Sequence, residues 1–274
     1  MVLLAVNMKH NLLQHFLKIP TLDFSSKNFK YPNFYFTEDF AGIPTIDFPS
    51  ELLLGKQAEF LFETLLHFSD HYTIIASNIQ IQGATETLGE LDYLVENSLT
   101  KQVIHIELAC KFYLLDLSLG NTIEEQWIGP NRKDRLIDKL AKLTTRQFPI
   151  LFASETKTIL DTFQLNSKQI SQQLCLKASL FLPLEMSLEV IPESYKKCVI
   201  GRYMRIDDFN KLSSKALYAL PKKKEWLVPI TSITEWSSYT EAKEIITHLL
   251  LEKRTLLVYQ KTGEIIKKFF VVWW

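Results

Sequence analysis

Residues 103–114 read VIHIELACKFYL and have the composition of a strand in the middle of a sheet, because β-branched, aromatic and aliphatic residues predominate. Alternate residues of a strand share a face, so four side chains point to one side of the predicted sheet: His105, Glu107, Ala109 and Lys111. An acid and a base on a face that otherwise reads as buried indicate either an internal ion pair or a functional site. An isolated buried pair is seldom a net stabiliser, which favours the functional interpretation.

A second acidic strand precedes this one. In LGELDYLV (88–95), Asp92 interrupts an apolar run and Glu90 shares its face. If the two strands are antiparallel neighbours, Asp92 and Glu107 converge, and two such carboxylates repel unless a cation lies between them. Hard oxygen ligands suit Mg²⁺ or Mn²⁺. A lysine beside the ion, here Lys111, orients an attacking water or stabilises charge that develops on a phosphate.

A predicted helix upstream supplies a third acidic group. In GKQAEFLFE (55–63), Glu59 and Glu63 are four residues apart and are therefore neighbours on one side of the helix. The alternative is a solvated helix face. Asp92 has an alternative as well, as a residue that caps a turn or pairs with a lysine.

The hydrophobic patterning predicts an α/β protein. Residues 46–155 form its core, between an N-terminal accessory segment (1–45) and a C-terminal α+β domain (156–274). The core elements follow the order helix, strand, strand, strand, helix, strand, at 55–71, 72–82, 86–97, 101–117, 129–148 and 148–154. This order implies a mixed sheet flanked by helices. In the C-terminal domain we expect helices near 156–173 and at 240–253, strands at 174–184 and 197–206, and a hairpin at 255–274.

The amino-acid composition limits the partners and the cellular location that we expect for this protein. The 31 basic and 31 acidic residues cancel, so any surface that attracts a polyanion has to be a local patch. Three separated cysteines in apolar runs predict reduced, buried thiols. The sequence contains neither a signal peptide pattern nor an apolar run of about 20 residues, so we expect a cytoplasmic protein with no membrane partner.

These stretches resemble a known nuclease core. An acidic helix, then GELDYLV, a turn, and a glutamate in HIELACK fifteen residues after the aspartate are similar to the PD-(D/E)XK, or restriction-endonuclease-like, superfamily. More narrowly, the chain resembles the bacterial family named domain of unknown function 1853, which is itself grouped with those nucleases. The segments that carry this narrower resemblance are LGELDYLVEN, ELACKFYLLDL, WIGPNRKDRLIDKLAKL and GRYMRIDDF.

The resemblance implies a role for each matching residue. Asp92 and Glu107 would be the metal ligands for Mg²⁺ or Mn²⁺, and Glu59 would be the helix acid that completes the site. The lysine departs from the pattern, because the position two residues after the acid is Ala109. Lys111 is on the same face, about 7 Å further along a strand that rises about 3.4 Å per residue.

Six basic residues around the predicted helix after Pro130 form a candidate nucleic-acid surface, because phosphate-backbone binding requires clustered positive charge. They are Arg132, Lys133, Arg135, Lys139, Lys142 and Arg146. The alternative is a solvated amphipathic face that Asp134 and Asp138 partly neutralise. A capping box of Asn131 and Asp134 would begin the helix.

The favoured function is metal-dependent hydrolysis of DNA phosphodiester bonds, with RNA as the alternative substrate. The catalytic residues would be Asp92, Glu107, Lys111 and Glu59. The second hypothesis is a module of the same fold that has lost cleavage and binds nucleic acid or a protein partner. The third is a structural protein whose acidic residues are ordinary surface charge.

Overall fold

The computed structural model describes residues 12–24, 29–40 and 46–274, which form a mixed α/β structure. Its strands are β1 Tyr72–Gln82, β2 Thr87–Asn97, β3 Val103–Leu115, β4 Trp127–Ile128, β5 Ser171–Pro183, β6 Val199–Arg205, β7 Leu217–Ala219, β8 Leu256–Thr262 and β9 Ile265–Val272. Its helices are α1 (12–18), α2 Leu54–His67, α3 Ile123–Gln126, α4 Leu136–Lys142, α5 Ser154–Thr162, α6 Glu193–Lys196, α7 Ile206–Phe209 and α8 Tyr239–Leu251.

Strand β3 lies between β2, which is antiparallel to it, and β5, which is parallel to it. Its residues alternate between two apolar layers, as the period of a strand requires. Ile106 and Leu108 pack in the layer that contains the α2 side chains. Ala109 and Tyr113 pack in the layer that contains the α4 side chains. The predicted central strand is confirmed, and its charged face lies on the α4 side.

The segment after α4 corrects two predictions. The expected strand at 148–154 is a 3₁₀ turn, Pro149–Phe152, because Phe148 and Leu151 fill the core from a turn and a short apolar run does not reveal its own conformation. The predicted helix at 129–148 is shorter, since α4 begins at Leu136 and continues as a π-helix over Leu143–Gln147.

The predicted capping box is also wrong. Arg135 is the N-cap of α4 and its side chain makes no capping hydrogen bond. Asn131 Oδ1 instead accepts a hydrogen bond from the backbone N–H of Thr255 at 2.9 Å. Asp134 accepts one from Lys111 Nζ at 2.9 Å. Both side chains therefore hold this loop to other parts of the chain rather than the helix to itself.

One sheet continues through the predicted boundary at residue 155. In the described residues its strand order is β1-β2-β3-β5-β6-β9-β8-β7, with β4 paired to β3. The strand that follows α4 and pairs with β3 is therefore β5, beyond the boundary. The predicted helix near 156–173 ends at Thr162, which leaves residues 171–183 for this strand. The division into domains stays a prediction.

The N-terminal segment lies along β5. Backbone N–H groups of Leu22 and Phe34 donate to the carbonyl oxygens of Leu176 and Leu174 at 2.8 and 2.9 Å. Residues 1–11, 25–28 and 41–45 of the predicted accessory segment lie outside the described residues. In the described part of the chain, no helix has the length and apolar character needed to cross a membrane. The cysteines there are free thiols, as predicted.

Candidate active site and adjoining cleft

Asp92 and Glu107 lie where β2 and β3 separate. The regular pairing of these strands runs from Glu96 and Val103 to Tyr93 and Ile106, so Asp92 and Glu107 are the next residues beyond it. Asp92 Oδ2 accepts a hydrogen bond from the backbone N–H of Leu108 at 2.9 Å. The structure therefore brings together the two carboxylates that the sequence places on neighbouring strands.

Glu107 is fully buried, and each of its oxygens accepts one hydrogen bond. Oε1 lies 3.0 Å from His105 Nε2, and Oε2 accepts from the Gln147 amide at 2.6 Å. The Gln172 amide lies 3.0 Å from His105 Nδ1. Because an amide nitrogen can only donate, Nδ1 accepts and Nε2–H donates to Glu107. His105 is thus a neutral orienting group for the carboxylate.

The pKa values of these groups follow from burial and mutual repulsion. Burial and the neighbouring Glu107 raise the pKa of Asp92 to about 7. Burial raises the pKa of Glu107 to about 8. Burial also lowers the pKa of His105 to about 4, which keeps its ring uncharged. The positive charge near the two carboxyl groups is therefore too small for both of them to be fully ionised at neutral pH.

Lys139 is the cation that acts on both carboxylates. Its Nζ donates to Gln147 Oε1 at 2.8 Å, and Gln147 in turn donates to Glu107. Burial lowers the pKa of Lys139, and the charges of Glu107 and Asp92 oppose that shift. Lys111, the predicted catalytic lysine, pairs with Asp134 at 2.9 Å instead. The positive charge beside the carboxylates therefore comes from Lys139 on α4 rather than from Lys111 on β3.

Glu59 belongs to a neighbouring polar cluster. Its carboxylate is 2.5 Å from Lys56 Nζ. The Asn78 amide, with its nitrogen turned toward the acids, donates to Glu59 Oε2 at 3.3 Å and to Glu90 Oε1 at 3.0 Å. Glu63, one turn further along α2, accepts from Ser77. Within the described residues, no three His, Cys, Asp or Glu side chains are grouped so that they could hold a metal ion.

A cleft of ≈ 680 Å³ is lined by Lys139 and by Leu108, the residue after Glu107, but not by Asp92 or Glu107 themselves. Residues 108–112 of β3 line it, beyond the point where β2 has separated. Glu59 and Asp134 lie on its wall, and Trp226 is buried beside it, where its ring packs on Phe112 at 5.1 Å. Its lysines come from β3, α4 and two loops, and are Lys111, Lys133, Lys139, Lys223 and Lys224.

The predicted basic surface does not form one continuous face. Arg132 donates to Asp116 at 2.6 Å and lies over the Trp274 ring at 4.5 Å. Arg135 pairs with Asp138. Lys139 faces the carboxylates, and the exposed Lys142 and Arg146 follow it, with Arg146 in the π-helical turn. Lys133 reaches the cleft from the loop before α4.

Sequence reasoning missed the amides that orient the site. Gln147, Gln172 and Asn78 are ordinary polar residues in the sequence, and their roles depend on contacts with residues 8 to 67 positions away. The sequence contains one indication of the role of Lys139, because this residue interrupts the apolar face of α4. A solvent-exposed basic stripe along the helix also explains a lysine at this position.

The family comparison matches most of the chain. A family model described as a domain of unknown function (DUF1853) matches residues 41–272. No curated protein and no solved structure matches the chain.

Proposed function

The chain belongs to the DUF1853 family, and we propose that it is a metal-dependent nuclease with a restriction-endonuclease-like core that hydrolyses phosphodiester bonds of DNA. The observation that carries this proposal is the pair of carboxylates, Asp92 and Glu107, at the fork between β2 and β3 beside a lysine-lined cleft. The order α2–β1–β2–β3–α3–β4–α4–α5–β5, with β5 parallel to β3, also supports it. RNA is the alternative substrate.

The residues at the fork fit a hard divalent cation. Burial of two neighbouring carboxyl groups raises the pKa of each, and this unfavourable charge is what a bound cation offsets. Mg²⁺ commonly takes one or two protein carboxylates and completes its shell with water and substrate phosphate. Asp92 and Glu107 would hold the ion, and Glu59 would act from the adjoining cluster. When bound, such an ion activates water and neutralises phosphate charge.

The chain's own residues have separate tasks in this proposal. Lys139 places a positive charge beside both carboxylates, so it stabilises negative charge that develops on a phosphoryl group at the fork. Lys111, held by Asp134, presents its ammonium to the cleft rather than to the acids. Lys133 and Lys223 extend the positive lining and attract the phosphate backbone.

A cleavage-inactive module that binds nucleic acid or a protein partner is the second candidate. Ala109 occupies the position where the resemblance expects a lysine, and it is buried. Lys111 is engaged by Asp134. This candidate retains the cleft and its lysines without turnover.

The test is a calorimetric titration of Mn²⁺ and Mg²⁺ into the wild type and the Asp92→Asn, Glu107→Gln double variant, followed by incubation of each with supercoiled plasmid. We expect metal binding and nicking by the wild type and neither by the double variant. Affinity for the metal should strengthen between pH of about 6 and about 8, because both carboxyl groups must lose protons on binding.

Two lysine variants sharpen the test. Lys139→Met should lower the nicking rate by at least about tenfold, since it removes the charge beside the carboxylates, whereas Lys157→Met alters an exposed lysine on α5 and serves as the control. Metal binding without nicking, together with salt-sensitive DNA binding, would select the inactive module. Equal metal binding by the wild type and the double variant would overturn the proposal.

A further inference from the structure

A second cavity, of ≈ 300 Å³, lies on the side of the sheet opposite α4. Phe112 and Trp226 line both this cavity and the cleft, and so lie between the two. Ser179, paired with Phe112 on the neighbouring strand β5, faces it, and β9 contributes Lys268. Its volume is at the lower end of the range for small-molecule sites.

Lys268 is the unusual group in this cavity. Its ammonium lies 5.7 Å from the ring centres of Phe112 and Tyr259 and 5.9 Å from that of Phe181. Among the residues that the structure describes, it has no hydrogen-bond or ion-pair partner. Burial lowers its pKa to about 8, because the charged form has lost water without gaining a counter-ion.

Among the described residues, the rest of the lining carries one further positive charge, that of Lys18. The N-terminal segment contributes His15 and Lys18 to one wall, and burial lowers the pKa of His15 to about 4, so its ring is uncharged. No aspartate or glutamate of the described residues lines the cavity. The other walls are mainly aromatic and aliphatic. Ring faces attract the ammonium by a cation–π interaction, which is weaker than the desolvation cost of an unpaired buried charge. The cavity therefore combines an apolar interior with an uncompensated positive charge.

We propose that this cavity binds a small amphipathic carboxylate, whose acid group pairs with the Lys268 ammonium and the Ser179 hydroxyl while its apolar part packs against the aromatic wall. A carboxylate offers the ammonium a charge-assisted hydrogen bond, which is stronger in an apolar site than in water. A cation is disfavoured because the lining already carries positive charge. A neutral ligand of the same shape gains the apolar contacts but leaves Lys268 without a counter-ion.

The experiment uses 3-phenylpropionate as the anionic probe and 3-phenylpropionamide as its neutral match, each titrated calorimetrically into the full chain. We expect the acid to bind with a dissociation constant below about 1 mM and the amide to bind at least about tenfold more weakly. Lys268→Met should remove this preference, because it keeps the length of the side chain and deletes its charge. Ser179→Ala should weaken binding of the acid alone.

The neighbouring exposed lysine gives the control variant. Lys267→Met changes the same strand at a residue outside the cavity and should leave both affinities unchanged. Circular dichroism establishes that each variant is folded. Equal affinities of the wild type for acid and amide, or no saturable binding of the acid up to about 10 mM, would overturn the proposal. Neither measurement involves Asp92 or Glu107, so the result is independent of nuclease activity.

Discussion

At the scale of single residues, the site depends on the hydrogen bonds that hold Asp92 and Glu107 in place. Glu107 is held by the neutral His105 and by Gln147, and Asp92 is held by the Leu108 N–H. The orientation of the two carboxyl groups is thus fixed by neutral donors, while Lys139 compensates their charge only in part. Such an arrangement costs stability when both acids ionise, and the cation proposed to bind there would offset that cost.

Asp92→Asn tests the cost of ionisation. The folded-state pKa of Asp92 is raised to about 7, so the folded protein keeps a proton that the unfolded chain releases near pH 4. Its contribution to the free energy of unfolding therefore falls as the pH rises from about 4 to about 7. We expect the variant, which keeps the Leu108 hydrogen bond, to be more stable than the wild type by about 1–3 kcal/mol at pH 8 and nearly equal to it at low pH.

Urea unfolding at several pH values measures this difference. Glu96→Gln, which changes an acid on the same strand that pairs with Lys101 at the surface, is the control and should show no comparable gain at high pH. A constant difference between Asp92→Asn and the wild type across the pH range would contradict the prediction.

At the scale of elements, the π-helical turn after α4 connects the helix to the site. A π-helix forms i→i+5 hydrogen bonds, and this wider turn directs Gln147 back toward Lys139, eight residues earlier. The amide then links the lysine to Glu107. The π-helical turn thereby places the Gln147 side chain where it hydrogen-bonds to a buried carboxylate.

Gln147→Leu tests this support. It removes the hydrogen-bond donor from one oxygen of a buried carboxylate, so we expect a loss of about 1–3 kcal/mol in the free energy of unfolding, largest at the high pH where Glu107 is ionised. Urea unfolding near pH 9 measures it. Thr145→Ala, in the same turn but exposed, should change stability by less than about 0.5 kcal/mol. Equal effects of the two substitutions would argue against the bridging role.

At the scale of the whole molecule, the N-terminal segment is held to the sheet by Lys177. This buried lysine on β5 donates to the carbonyl oxygen of Leu17, in the last turn of α1, at 3.2 Å and to that of Ile19, just after the helix, at 2.8 Å. Thr21 forms a bridge with the same residue. The contact fixes the segment that also closes the Lys268 cavity.

Lys177→Met should loosen the N-terminal segment. Two buried carbonyl groups lose their donor, so we expect a loss of about 2 kcal/mol in the free energy of unfolding and faster chymotryptic cleavage between residues 12 and 40. Limited proteolysis followed by mass spectrometry locates the cuts. Lys168→Met, at an exposed position, is the control. An unchanged cleavage rate in the buried-lysine variant would contradict this role.

Much of the order of elements could be predicted from the sequence. Strands β1, β2 and β3 follow from local alternation and composition, which depend on residues only a few positions apart. The convergence of Asp92 and Glu107 followed from antiparallel pairing of neighbouring strands. The predicted strand at 148–154 was wrong because the apolar residues of this segment fill the core from a turn. Hydrophobic periodicity does not distinguish such a turn from a short strand.

By itself, therefore, the sequence determined the α/β class, the central strand and the two acids on adjacent strands, because these depend on local periodicity and on short connections. Only the tertiary structure decided which cation lies beside Asp92 and Glu107, since the position of Lys139 depends on the π-helical turn and on Gln147. It likewise decided that β5 pairs with β3 across the predicted boundary and that Lys268 is enclosed without an acid. Such contacts join residues far apart in the chain, and no local pattern records them.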